Sequence, residues 1–270
     1  MADAGARSLL RQRNLILAVL VALAAAAWGL LVWQQASTGM AMNTPTMGLR
    51  APLFLAVWIA MMVAMMFPAA APMILTFHQL QAAKRTRGET FVSTWVFVAA
   101  YLLVWAVSGV AAFAAASGAE ALAKRADLSG ATAARIGGAM LVLAGVYQFS
   151  PLKNLCLAKC RSPLAFIMTS WRDGTAGALR MGLTHGFYCL GCCWLLFVVL
   201  FPLGIMNVAA MAVVTALIFA EKALPGGERI AKAAGLALVL YGGLVLVVPQ
   251  SLPTFMPTGA MENMGGMDMH

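Results

Sequence analysis

Four residues in the run MGLTHGFYCLGCCWLL could share one chemical task. His185, Cys189, Cys192 and Cys193 stand at i, i+4, i+7 and i+8, which puts them on one face of a helix with 3.6 residues per turn. One imidazole and three thiols are soft or borderline donors suited to Cu(I) or Zn(II). A straight helix cannot surround an ion, so a neighbouring helix has to complete such a site. Read as packing alone, cysteine is a small, commonly buried residue, and Gly182, Gly186 and Gly191 mark a tight helix–helix contact.

The run MMVAMMFPAAAP offers partners. Met61 with Met65 and Met62 with Met66 form i,i+4 pairs, and thioethers select Cu(I) among biological metals. Pro68 and Pro72 should kink that helix and free backbone carbonyls. Counted from Pro52, Met61 is about 13 Å along its segment; counted from Arg180, Cys189 is also about 13 Å along. Methionine is equally an ordinary filler of irregular gaps.

Two more clusters carry donor atoms. Cys156 and Cys160 form a C-x-x-x-C pair flanked by Lys153, Lys159 and Arg161; nearby cations favour the thiolate. The other reading is a basic amphipathic segment on the inner leaflet. The chain ends MENMGGMDMH, with Met261, Met264, Met267, Met269 and His270 in a polar tail, where thioethers have nothing to pack against. His78 and the pair Glu221–Lys222 read as interfacial anchors or an ion pair. A bis-histidine haem would need His78 and His185 to face each other. No phosphate-binding loop or H-E-x-x-H is present, so ATP hydrolysis and zinc-peptidase chemistry have no motif here.

These clusters need a scaffold, and composition names it. Of 270 residues, 62% are apolar and 10% charged, far from the roughly 45–50% and 25% of soluble domains. The expected fold is all-α, a polytopic transmembrane bundle of about seven spans. They are Leu15–Trp33, Pro52–Phe77, Phe91–Ala116, Ala131–Phe149, two within Met181–Ala220 with a turn at Pro202 and Gly204, and Ala231–Val248. The first follows Arg7, Arg11 and Arg13 but is too long for a cleavable signal. Residues 1–14 are a cytoplasmic N-terminus, 15–248 the bundle and 249–270 an outer Met-rich tail expected to be disordered.

The basic residues orient the bundle. With the N-terminus inside, the inner segments hold Arg7, Arg11, Arg13, Lys84, Arg85, Arg87, Lys153, Lys159, Arg161, Arg172, Arg180, Lys222, Arg229 and Lys232. That is 14 of the 18 basic residues. Arg50, Lys124, Arg125 and Arg135 fall outside, which fits the positive-inside rule and puts the C-terminus outside. Scattered between apolar runs, the net charge of +9 reports orientation in the membrane, not nucleic-acid binding. The outer face then carries Met40, Met42 and Met47 as well as the tail.

Together, MMVAMMFPAAAP, YQFSPLKNLCLAKCRSP, HGFYCLGCCW and the closing AEK of Ala220–Lys222 resemble the bacterial family catalogued as predicted metal-binding integral membrane proteins, a family of unknown function. The likeness runs from about Ala51 to Tyr241. It implies a bacterial cytoplasmic-membrane protein in which Met61, Met62, Met65, Met66, Pro68, Gln148, Cys156, Cys160, His185, Cys189, Cys192 and Cys193 matter. It specifies neither metal nor reaction.

The first functional expectation is Cu(I) handling, by transport, storage or delivery to a copper-dependent membrane enzyme or from an outer-face metallochaperone, with zinc as the other candidate metal. Enzymatic activity is not expected on this reading. The alternatives are a thiol-based membrane oxidoreductase and an accessory subunit of a larger membrane complex. The lipid bilayer is the common partner in all three.

Overall fold

The computed structural model describes residues 2–38 and 44–253, with side chains from Leu10 onward. Met40, Met42 and the tail candidates Met261, Met264, Met267, Met269 and His270 therefore lie outside the described residues. Ten α-helices follow in chain order: α1 (Ala2–Thr38), α2 (Ala51–Thr86), α3 (Thr94–Arg125), α4 (Gly130–Tyr147), α5 (Pro151–Arg161), α6 (Pro163–Ser170), α7 (Gly174–Val198), α8 (Leu200–Leu203), α9 (Val208–Ala223) and α10 (Gly227–Val247). Among the described residues there is no strand.

Six helical segments are long and apolar enough to cross a membrane: Leu10–Ser37, Ala51–Thr86, Thr94–Arg125, Gly130–Tyr147, Gly174–Leu203 and Gly227–Val247. Their exposed faces carry Val107, Leu143, Leu240 and Val247, the apolar surface that a bilayer solvates. The chain is a polytopic membrane-helix bundle. The segment expected as its sixth span is α9, a helix of 16 residues. At 1.5 Å per residue it is about 24 Å long, short of a hydrocarbon core of about 30 Å.

Local chemistry sets the helix ends. Ser93, Ser129, Ser150 and Asn207 each accept a backbone N–H in the first turn of α3, α4, α5 and α9, satisfying donors that a helix start leaves free. The turn between α8 and α9 falls at Gly204, whose φ of 94° suits glycine. Small residues bring helices close. A Cβ on Gly145 would stand 2.6 Å from Gly235 O, and one on Gly182 would stand 2.5 Å from Phe97 O. The first fixes the α4–α10 crossing and the second the α3–α7 crossing, as lipid-embedded helices lacking a hydrophobic drive to associate require.

Both proline positions of α2 lie inside one continuous helix. Its interior face carries Met61, Met62, Met65, Met66 and Met73, all buried. They join one continuous core with Tyr101 and Trp105 of α3 and the cysteines of α7.

Candidate metal centre

On α7, His185, Cys189, Cys192 and Cys193 share a buried face, with exposures of 0–2%. Cys192 Sγ lies 3.2 Å from Cys193 Sγ and 3.2 Å from the carbonyl of Cys189 one turn back. Two further helices bring sulfur to this face. Met66 Sδ of α2 is 4.0 Å from Cys189 Sγ, and Cys160 Sγ of α5 is 4.0 Å from Cys192 Sγ. Sulfurs sharing a metal at about 2.3 Å each stand about 3.8 Å apart in a tetrahedral site and about 4.0 Å apart in a trigonal one. The two interhelical separations match that spacing, and all five cysteines are free thiols.

The convergence follows from depth. Counted from Pro52, Met66 is about 21 Å along α2; counted back from Pro202, Cys189 is about 20 Å; counted from Val208, Lys222 of α9 is about 21 Å. The sequence count matched Cys189 to Met61, but the thioether in contact is Met66, more than a turn further along. Met61, Met62 and Met65 are fully buried in the same core.

Groups that the sequence reading left out complete the surroundings. Tyr101 Oη is 3.2 Å from Cys189 Sγ, and Lys222 Nζ donates to the same sulfur at 3.0 Å. Glu221 and Lys222 were expected as interfacial anchors or an ion pair; Lys222 is 9% exposed and reaches the thiol of Cys189. Its neighbour Glu221 turns the other way and accepts from Lys153 Nζ at 2.7 Å, with both side chains at most 1% exposed. Arg161 closes the end of α9, donating to Glu221 O at 2.8 Å and Leu224 O at 2.9 Å. A charged pair ending an otherwise apolar run was the only sequence signal for any of this. Among the described residues no group of three or more His, Cys, Asp or Glu side chains is arranged to hold a metal ion; the Lys222 ammonium stands against Cys189.

His185 sits one turn from Cys189. Its ring packs against Phe97, Tyr101 and Phe166 at centroid distances of 5.9, 5.5 and 5.6 Å. Neither ring nitrogen has a hydrogen-bond partner. His78, on the last turns of α2, bonds Thr94 Oγ1 through Nδ1 at 3.2 Å, and its ring is absent from the aromatic contacts of His185, so the two histidines do not form a facing pair.

The Cys156–Cys160 helix differs from its expected chemistry. α5 buries Lys153, Cys156, Leu157 and Cys160 on one face and exposes Leu152 and Leu155. A Cβ on Gly191 would stand 2.7 Å from Cys156 Sγ, so glycine lets this thiol lie on α7. Of the flanking cations, Lys153 is spent on Glu221 and Arg161 on the end of α9. Burial instead pushes the Cys156 thiol above its ordinary range. Hydrogen bonding with Cys189, then burial, push Cys160 well above it, against an opposing bond from Cys192.

No curated protein and no solved structure matches the chain. The family model PpoB2, described as a copper chaperone, matches residues 55–245. That stretch contains every sulfur of the cluster as well as Tyr101, Lys153, Glu221 and Lys222, and the chain belongs to this copper chaperone family.

Proposed function

We propose that this protein takes Cu(I) as cargo in the membrane, holds it among the sulfurs of Met66, Cys160, Cys189, Cys192 and Cys193, and passes it to a copper-dependent membrane enzyme. The observation carrying this reading is the approach of sulfurs from three separate helices to 4.0 Å across helix boundaries. Soft donors of this kind favour Cu(I) over the harder cations of the cell. His185, adjacent and without a hydrogen-bond partner, is a further donor within the same face. The reading keeps the N-terminus inside and the C-terminus outside, with α9 and the turns that flank it completing a seventh crossing, so the tail methionines meet copper first, while Met47 is buried at 2% exposure. Cys156 and Cys160, the most exposed of the five thiols at 7% and 9%, are where copper leaves.

Anaerobic Cu(I) titration of the detergent-purified protein tests this. Cys160→Ser with Cys192→Ser keeps size nearly constant and removes one 4.0 Å sulfur pair; tightly bound copper should fall sharply while the protein still inserts and purifies. Full copper occupancy in the double variant would remove the cluster from consideration. A wild type that takes zinc but not copper would keep the site and discard the cargo. Truncation after Pro257 should slow uptake yet leave tightly bound copper in place.

The oxidoreductase alternative would rest on Cys192 and Cys193, 3.2 Å apart, or on Cys156 and Cys160, acting on a quinone or a partner disulfide. The first pair is only 1% exposed and the second 7% and 9%, so a partner disulfide has little access to either and cargo binding is better supported.

A further inference from the structure

Among the described residues Lys222 is the one charged side chain with a hydrogen bond to the thiols, and nothing in the cargo-binding reading requires it. Its ammonium contacts Cys189 Sγ at 3.0 Å. No ion pair joins it to a carboxylate among the described residues, because Glu221, the adjacent acid, is committed to Lys153. A buried ammonium without a carboxylate is costly, and here the polarisable sulfur is what it rests on. A metal bonded to Cys189 would sit about 2.3 Å from that sulfur. Two positive charges cannot share so small a space in a low-dielectric interior.

We propose that Lys222 is a resident counter-cation, holding the place of Cu(I) in the sulfur cluster until cargo arrives, and that the return of its ammonium drives cargo out again. The proposal rests on the cluster being the copper site. Exchange of one monovalent cation for another leaves the charge of the interior unchanged, so loading adds no net charge to the hydrocarbon region. Lys222 lies in the last turn of α9, where a four-carbon stem can withdraw its head from Cys189 past the helix end. A site of thiols and thioether alone would bind copper tightly and surrender it slowly. A competing cation tethered beside it makes the same site labile, which a protein that hands its metal on requires.

The test is competition between the full-length protein and a chromogenic Cu(I) chelator, read as affinity and release rate. Lys222→Leu removes the charge without adding a donor; it should bind Cu(I) about tenfold or more tighter and release it correspondingly slower, at unchanged stoichiometry. Lys222→Arg, which keeps the charge, should remain close to wild type. A Lys222→Leu protein that binds no tighter, while Cys160→Ser/Cys192→Ser loses copper, would overturn the counter-cation role and leave the copper site standing. Copper retained by the cysteine double variant would instead overturn the site itself, and the proposal with it. A second measurement uses the wild-type chain and needs no folded leucine variant. With lysine labelled at its terminal carbon, one signal, absent in Lys222→Arg, should move to a solvent-like position on Cu(I) loading. No displaced lysine signal at full copper loading would overturn the proposal independently.

Discussion

Trp28 of α1 donates its indole N–H to the carbonyl of Ala64 on α2 at 3.1 Å. Ala64 stands four residues before Pro68, so its carbonyl is the one that proline cannot serve. The freed acceptor is therefore taken up by the neighbouring helix, and the helix that carries Met61, Met62, Met65 and Met66 runs on without a break. Trp28→Phe should cost about 1–3 kcal/mol by leaving that carbonyl unpaired in an apolar interior. Adding Pro68→Ala restores the intrahelical donor and should recover most of the loss. Thermal unfolding in detergent of the two singles and the double checks this; purely additive effects would show the bond to be incidental.

The Lys153–Glu221 pair is a second case of forced partnership. Glu221→Gln or Lys153→Met alone strands a charge in the interior and should destabilise by about 3–5 kcal/mol. The double variant should be much closer to wild type, because neither charge remains. If both singles behave like surface substitutions in denaturation, the pair is solvated and the packing of α5 on α9 is looser than described.

Cys156 supplies a pH test. A raised thiol pKa means less thiolate at neutral pH, so alkylation of a variant retaining Cys156 as its sole cysteine should be slow at pH 7. Its rate should climb with a midpoint above that of an unperturbed thiol, about 8.5. A midpoint below that value would mean that Lys159 or another cation activates the sulfur after all.

Orientation can be read directly. With α9 crossing and the N-terminus inside, a periplasmic-only reporter fused after His270 should be active and a cytoplasmic-only reporter silent. The opposite result would place Lys222, Arg229 and Lys232 outside and make α9 a re-entrant helix.

The span pattern was legible because apolar runs of this length have few other uses, and each expected span has a helix under it. Boundaries were less so: α2 was expected to stop at Phe77, yet it continues to Thr86. Hydropathy reports where lipid contact ends, while a helix continues into water for as long as its backbone bonds are favourable. The α7 stripe was legible because His185, Cys189, Cys192 and Cys193 lie on one helix and their spacing suffices. Met66 was only one of four methionines, since choosing among them requires the relative height of two helices. Tyr101 and Lys222 could not be read as neighbours of the thiols. One looked like an ordinary apolar-span aromatic, the other like an anchor, and only the arrival of α3 and α9 beside Cys189 gives them a role.

The short length of α9 has a consequence of its own. The helix stops after about 24 Å and ends at Ala223, one residue beyond Lys222, with Leu224 exposed. Aligned peptide dipoles place roughly half a negative charge at that end. The carbonyls of Glu221 and Leu224 deliver it, and Arg161 answers it from α5. The pole lies in the same turn as Lys222 and at the level of Cys189. The backbone therefore contributes a standing field that favours any cation, ammonium or metal, at that depth. Extending α9 by a turn would carry this field away from the sulfurs without altering a single one of them.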